Sequence, residues 1–243
     1  MPVHRLLRFE DRASLVAETA TRLLEAMRLR QSLTGSVSLC LTGGELANAI
    51  LDQMAAQAPS CELHGDAIHL WWNWDYFIAT DNPERNSLQA LSRLAGALTL
   101  DPAKIHPIPS SSVCADPETA AAQYAQELRD AAPIDLCLLE LGPEGQVAGV
   151  YPHHIERPLM ALAAGIIDGP PPHEQMVSLT RVGLNSCREI WIMASGAEVA
   201  PRILQVWEHD PAMPASYLVG TDSILWLADT PAAELLPFHH CTL

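Results

Sequence analysis

The chain has 243 residues, 49% of them hydrophobic and 18% charged, and its formal net charge is −15 at pH 7. This composition excludes a disordered chain, and the length is typical of a single α/β domain over residues 1–243. The negative charge, with no basic stripe, excludes a nucleic-acid binder and disfavours an anionic membrane surface. No apolar run reaches the roughly 18 residues of a transmembrane helix. The N-terminal sequence turns acidic before any signal-peptide core forms, so we expect a cytoplasmic protein.

Helix-like and strand-like segments alternate along the chain. Residues 11–30 have apolar positions at helical spacing, and the apolar run at 37–42 is typical of a buried strand. Asp116 and Pro117 are the residue types of a helix N-cap and first helical position. We predict further helices at 45–56, 87–98, 116–130 and 197–210, further strands at 68–72, 134–142, 176–180 and 189–196, and a closing strand and helix within 223–236.

This alternation, with several continuously apolar strands, predicts an α/β fold: a mostly parallel sheet with helices on both faces. Binding sites in such sheets lie beyond the carboxyl ends of the strands. Four loops meet that condition, at residues 42–47, 73–86, 141–153 and 195–200. We therefore expect the functional residues on these loops.

The turn at Gly43 and Gly44 separates a strand from a helix. Backbone N–H groups at such a helix N-terminus can bind an anion, but a plain tight turn explains the glycines equally well. Glu45 argues against a phosphate, because its carboxylate would stand beside the anion.

The loop at 141–149 carries two candidate catalytic side chains, Glu144 and Gln146. Glu144 would act as a general base or acid if burial raised its pKa. Gln146 has no titratable proton near neutral pH, so it can only orient a ligand or donate to an oxyanion. A purely structural loop is the competing interpretation.

Histidines and cysteines give little support for a metal site. His153 and His154 are adjacent, so both do not easily reach one metal, and His153 is a spare catalytic candidate instead. The tail carries His239 and His240, which we expect to be solvated. The six cysteines lack zinc spacing, and we expect reduced thiols. Trp74 enters a strand-end loop and is a candidate stacking platform for a ligand or partner.

Six segments, in order, resemble the 6-phosphogluconolactonase family, which shares its fold with glucosamine-6-phosphate deaminases. The segment DLCLLELGPEGQVAGVYP resembles the family signature D-x-x-L-L-G-M-G-x-D-G-H-x-A-S-L-F-P. The others are LTGGELANAIL, IHLWWNWDYFIATDNPERNSLQA, IHPIP, PPPHEQMVSLTRVGLN and WIMASGAEVA. The resemblance implies a Rossmann-like α/β fold and, as activity, hydrolysis of 6-phosphoglucono-δ-lactone in the pentose phosphate pathway, without metal or cofactor.

The resemblance also implies site residues, and several positions depart from the family pattern. The family base, a His, falls on Gln146, and the preceding Asp falls on Glu144. The Arg of a D-E-R triplet falls on Tyr76, next to Asp75. The turn Lys falls on Val199, an expected Arg falls near Met176, and the Ser of the first Gly turn falls on Glu45. The residues that keep the pattern and are implied to line the substrate site are Gly43, Gly44, Arg85, Asn86, Gly142 and Gly145.

Three functions follow as alternatives. The first is a family member with weak or no lactonase activity, whose Trp74, Tyr76 and Val199 form a surface for a protein partner or neutral ligand. The second is an active hydrolase of 6-phosphogluconolactone, or of another sugar lactone, that uses His153 or Glu144 as base. Its phosphate contacts would come from Arg85, Arg157 or Arg181. The third is a different sugar-directed hydrolase or isomerase on the same scaffold. Because the lost residues share one function, the sequence favours the first.

Overall fold

The computed structural model describes residues 3–152 and 160–237. Within them, strands and helices alternate as the sequence predicts. The helices are α1 (Arg12–Thr34), α2 (Glu45–Gln57), α3 (Asn86–Leu94), α4 (Pro117–Asp130), α5 (Arg181–Asn185) and α6 (Ala200–Trp207). The strands are β1 (Val3–Phe9), β2 (Val37–Leu41), β3 (Ile68–Trp72), β4 (Trp74–Tyr76), β5 (Ile105–His106), β6 (Leu136–Glu140), β7 (Ala163–Ile166), β8 (Met176–Leu179), β9 (Glu189–Ala194) and β10 (Ser223–Asp229).

The main sheet has seven strands in the order β1-β10-β9-β6-β2-β3-β5, and every pairing in it is parallel. This confirms the predicted mostly parallel α/β fold. From β2 the chain builds outward to β3 and β5, and it then returns to place β6 on the other side of β2. Such a reversal opens a crevice between the carboxyl ends of the two strands, where ligands bind in open α/β sheets.

A second, three-stranded antiparallel sheet has the order β4-β8-β7. The sequence predicted β8 but placed it in the parallel sheet, and it predicted neither β4 nor β7. Strand β4 pairs with β8 about a hundred residues further along the chain, and β7 has only four residues, so no local pattern indicates either strand. The sheet matters because β4 and β8 lie at the crevice.

Local signals set the helix boundaries. The side chain of Asp11 accepts a hydrogen bond from Ser14 N at the start of α1, and Gly35 ends that helix in the left-handed region, at φ 81°. The predicted N-cap Asp116 is confirmed, with its carboxylate bound to Thr119 N, 2.8 Å away. The predicted helix after β10 is wrong, because that segment forms turns.

The core contains several large aromatic side chains. Trp71, Trp72, Trp226 and Tyr124 are all fully buried. The Tyr124 hydroxyl accepts a hydrogen bond from Trp72 N at 2.9 Å and donates one to Trp72 O at 2.8 Å. Helix α4 is thereby attached to the end of β3, which leads directly into β4.

Other sequence expectations concern cysteines, metals and membranes. The five described cysteines, at positions 40, 61, 114, 137 and 187, are free thiols, as expected. Among the described residues, no cluster of three or more His, Cys, Asp and Glu side chains is arranged to hold a metal ion. None of the helices in residues 3–152 and 160–237 has the length and apolar character needed to span a bilayer.

Candidate functional site

A cavity of about 210 Å³ lies at the carboxyl ends of β2 and β6. It brings together three of the four predicted loops, at 42–47, 73–86 and 141–153, whereas the fourth contributes no lining residue. Pro170, in the loop before β8, and Met176, at the start of β8, complete the wall. The lining residues are Thr42, Gly43, Gly44, Trp74, Tyr76, Glu140, Gly142, Pro143, Gln146, Ala148, Tyr151, Pro170 and Met176.

The two glycines let the chain pass closely against its neighbours. A Cβ at residue 43 would collide with the side-chain amide of Asn86, and Gly44 has φ 121°, a conformation that L-residues rarely adopt. Asn86 in turn donates from Nδ2 to the carbonyl of Trp74, 3.1 Å away. The Gly43–Gly44 turn is therefore locked to β4, and both line the cavity.

Strand β4 presents alternate side chains to opposite sides. Trp74 and Tyr76 line the cavity, whereas Asp75 between them is fully buried in the interior. Tyr76 is paired across the antiparallel ladder with Met176, so the two side chains share a face. This pairing places both on the cavity wall.

Asp75 and Arg85 form a buried ion pair away from the cavity. Arg85 is 2% exposed, its Nη2 lies 3.0 Å from Asp75 Oδ2, and it also donates to the carbonyl of Ile108. Asp75 further accepts from the backbone of Asn86 and from the hydroxyl of Ser87. Burial raises the pKa of Asp75, and the Arg85 charge and these hydrogen bonds act in the opposite direction. Arg85 was expected at the substrate, but its guanidinium is occupied in holding β4 against the start of α3.

The side chain of Gln146 folds back onto its own loop, which follows β6. Gly142 N donates to Gln146 O at 2.9 Å, and Gln146 Oε1 accepts from Glu144 N at 3.0 Å. A Cβ at residue 142 would meet the Gln146 side-chain amide, so a larger residue there would displace that side chain. The amide oxygen therefore braces the loop, and the side chain provides no proton acceptor comparable to an imidazole.

Glu140 is the carboxylate of the cavity wall. Burial raises its pKa from 4.5 to about 7, an effect that Glu45 reinforces and that Ala47 N–H and Arg12 oppose. Its Oε2 is buried without a hydrogen-bond partner and lies where a Cβ on Gly44 would be. The carboxylate thus stands at the N-terminus of α2, where backbone N–H groups of the glycine turn could otherwise bind an anion.

The aromatic side chains at the cavity carry no charge near neutral pH. Burial raises the pKa of Tyr76 above its usual value and that of Tyr151 to about 12. The rings of Trp74 and Tyr76 pack edge to face, 5.1 Å apart, and Trp74 Nε1 donates to Thr42 Oγ1 at 3.3 Å. These contacts fix the orientation of the aromatic wall.

The structure brings only part of the predicted site together. Gly43, Gly44, Tyr76, Gly142 and Gln146 line the cavity, whereas His153 lies outside the described residues. Two other candidates, Glu45 and Glu144, are exposed and do not line it. The remaining predicted residues are buried and do not line it either: Asp75, Arg85, Asn86, Gly145 and Val199.

Two wall residues with ionisable side chains were missed by the sequence analysis, Glu140 and Tyr151. A signal for the first was present: in the family signature given above, the position of Glu140 is the glycine of L-L-G-M-G. A glutamate in place of that glycine puts a carboxyl group at the end of β6, in the wall of the cavity. Tyr151 aligns with the Phe of the signature's final L-F-P. Because one aromatic residue replaces another there, the sequence gives no signal for it.

No Lys, Arg or His side chain lines the cavity within the described part of the chain. Arg181 lies over the ring of Tyr217, with its Cζ 4.8 Å from the ring centroid. Arg202 donates to the carbonyl of Pro143 and to Gln205 Oε1, and it is not part of the wall. Of the arginines proposed from the sequence for a phosphate, Arg157 lies outside the described residues.

Comparison with known proteins relates the whole chain to one family. The profile of the family described as glucosamine-6-phosphate isomerases/6-phosphogluconolactonase matches residues 10–226. The 6-phosphogluconolactonase of Streptomyces coelicolor is 31% identical over 97% of this chain and 94% of its own length. That of Mycobacterium tuberculosis is 32% identical over 94% and 97%. The crystal structure of 6-phosphogluconolactonase from Thermotoga maritima superposes with a TM-score of 0.83 at 20% identity, covering 93% of this chain and 100% of that one.

Proposed function

This chain belongs to the family of glucosamine-6-phosphate isomerases and 6-phosphogluconolactonases, and from that membership we propose that it serves carbohydrate metabolism, in connection with the pentose phosphate pathway. We propose further that its own 6-phosphogluconolactonase activity is weak or absent. A cytoplasmic location, expected from the sequence, belongs to the same proposal.

One observation carries the proposal of weak or absent activity: the described wall of the crevice contains a carboxyl group and no basic side chain. A phosphorylated lactone needs cationic or N–H donors for its phosphate. Here the chain's own Glu140 stands at the N-terminus of α2, and Arg85 pairs with Asp75 in the interior. Within the described residues, the helix N-terminus and Arg85 are therefore unavailable to a phosphate.

The identity of Gln146 supports the same proposal, because a glutamine cannot act as the general base of the hydrolytic step. Loss of a general base lowers the rate by about 10² to 10⁴-fold. Loss of a charge-assisted phosphate contact removes roughly 1.5–3 kcal/mol each. Together these changes would leave little turnover above the spontaneous hydrolysis of the lactone.

A second candidate is hydrolysis of a sugar lactone that carries no phosphate. Glu140 favours it, because a cavity carboxyl with a pKa near 7 is suited to proton transfer at neutral pH. The bases considered from the sequence are less well supported, since Glu144 is exposed outside the wall and His153 lies outside the described residues. If the protein has no lactonase activity, a further role is to bind a protein partner that contacts Trp74 and Tyr76 at the crevice.

A coupled assay tests the proposal. Purified protein is given freshly prepared 6-phosphogluconolactone, with 6-phosphogluconate dehydrogenase reporting the product and the Streptomyces coelicolor relative as positive control. We expect a rate that does not rise above spontaneous hydrolysis as protein concentration increases. A saturable, protein-dependent rate would overturn the proposal. The same titration with unphosphorylated gluconolactone tests the second candidate, which predicts turnover that Glu140→Gln abolishes.

A further inference from the structure

The cavity wall combines one ionisable carboxyl with an aromatic and apolar lining. Trp74, Tyr76 and Tyr151 supply the rings, and Met176 and Pro170 supply further apolar surface. Both phenols stay neutral, so Glu140 is the group of the described wall whose charge changes near pH 7. Among the described residues, a ligand that enters this space meets one ionisable carboxyl and no Lys, Arg or His side chain in the wall.

The carboxylate of Glu140 is incompletely satisfied in the protein itself. Its Oε2 is buried without a hydrogen-bond partner. A buried charged oxygen without a donor is unfavourable, and a cation held beside the carboxylate would reduce that cost. Of the charged groups around it, Arg12 at the start of α1 favours the ionised form and Glu45 at the start of α2 disfavours it.

Aromatic rings beside a carboxylate are suited to a cation. The face of Trp or Tyr attracts an ammonium group by roughly 0.5–2 kcal/mol, more when water is excluded. The edge-to-face packing of Trp74 on Tyr76 and the hydrogen bond from Trp74 to Thr42 hold these rings in place before a ligand arrives. Preorganised walls reduce the entropy lost on binding.

We propose that this cavity binds a small primary ammonium compound with an apolar body about the size of one six-membered ring, with Glu140 as its counter-ion and Trp74, Tyr76 and Tyr151 around it. The size follows from the volume of about 210 Å³, which is below that of most sites for drug-sized ligands. The inference rests on the proposed function, because it requires a crevice that does not select a phosphate.

Calorimetric titration with three probes of one shape tests the proposal. Cyclohexylammonium, cyclohexanol and cyclohexanecarboxylate differ in charge and share the ring. At pH 7.5 and low ionic strength, we expect the ammonium to bind the full-length protein at least about tenfold more tightly than the alcohol, the difference that one charge-assisted hydrogen bond supplies. The carboxylate should give no measurable binding.

Glu140→Gln isolates the counter-ion. The variant should lose about tenfold or more of the ammonium affinity and keep the affinity for the alcohol. Glu25→Gln, at an exposed position of α1 outside the wall, makes the same change in formal charge and should leave both affinities within about twofold. Circular dichroism of each variant establishes that it is folded.

Three results would overturn the inference: equal affinity for ammonium and alcohol, unchanged ammonium affinity in Glu140→Gln, or no ammonium binding by folded wild-type protein. If any of these occurs while the lactonase assay stays at the spontaneous rate, the proposed function stands and only the ligand class is wrong. Tight binding of inorganic phosphate together with lactone turnover would instead overturn both.

Discussion

The carboxylate of Glu140 lies against the backbone of Gly44, so closely that a Cβ on residue 44 would collide with Glu140 Oε2. The contact joins the end of β6 to the start of α2 across the crevice of the parallel sheet. A helix N-terminus attracts negative charge, and here the protein's own carboxylate provides it. The glycine turn, which is compatible with an anion site, lies in this chain against an acidic side chain of the protein itself.

The first prediction concerns the pH dependence of stability. Because the pKa of Glu140 is raised from 4.5 to about 7, the folded state holds a proton that the unfolded state has released over this range. The contribution of Glu140 to the free energy of unfolding is therefore greatest at low pH. It falls by at most roughly 3 kcal/mol as pH rises from about 4.5 to 7.

Urea denaturation of wild type and Glu140→Gln at pH 5, 6, 7 and 8 measures this. The difference in unfolding free energy between the two proteins should shift steadily in favour of the glutamine variant as pH rises. A difference that is constant across the four pH values would contradict the predicted titration.

The second prediction separates two carboxylates that pair with arginines near α3. Asp75→Asn leaves the buried Arg85 charge without its counter-ion, and we expect a loss of about 3–5 kcal/mol in unfolding free energy. Asp52→Asn is the matched control, because Asp52 is 62% exposed and its pair with Arg93 should contribute about 0–1 kcal/mol. Equal losses in the two variants would show that the Asp75–Arg85 pair does not hold β4 in place.

The third prediction tests the backbone at the glycine turn. Gly44→Ala should destabilise the protein by about 1–3 kcal/mol, because φ 121° is unfavourable for alanine and its Cβ meets Glu140. Gly96→Ala is the control, since that Cβ would enter open space. Thermal denaturation should show a lowered Tm for the first variant alone. In the double variant Gly44→Ala/Glu140→Ala, only the part of the loss due to the collision should be recovered.

The fourth prediction concerns recovery of the family chemistry. Gln146→His places an imidazole at the family's base position, but we expect no lactonase activity from this change alone. Glu140 would still occupy the start of α2, and Met176 would still stand near the position of an expected arginine. The coupled assay with 6-phosphogluconolactone measures the outcome. Activity in the single variant would mean that a phosphate site persists elsewhere in the crevice.

The triple variant Gln146→His/Glu140→Gly/Met176→Arg extends this test. It supplies a base, removes the carboxylate from the helix N-terminus and adds a cation at the wall. Of the variants tested, it is therefore the one in which we expect lactonase activity to recover most. A double variant without Met176→Arg distinguishes the opening of the anion site from the added charge. If all variants fold and none exceeds the spontaneous rate, other residues of the crevice have also diverged.

Much of the fold followed from the sequence because its signals are local. The apolar runs at β2, β3, β6 and β9 predict buried parallel strands, and the caps at Asp116 and Gly43–Gly44 depend on only a few neighbouring residues. Three of the four strand-end loops meet at the cavity, because the carboxyl ends of parallel strands share one edge. The family resemblance followed from the same segments.

Only the tertiary structure decided which side chains of those loops face the cavity. Arg85 turns inward because a buried carboxylate, Asp75, lies across from it, and Tyr76 faces the cavity because β4 pairs with the distant β8. Glu140 gains its raised pKa from burial against a turn almost a hundred residues earlier in the chain. Sequence by itself determined the scaffold and the edge at which a site forms, since backbone preferences act over a few residues. The charge and chemistry of that site depend on side chains that only folding brings together.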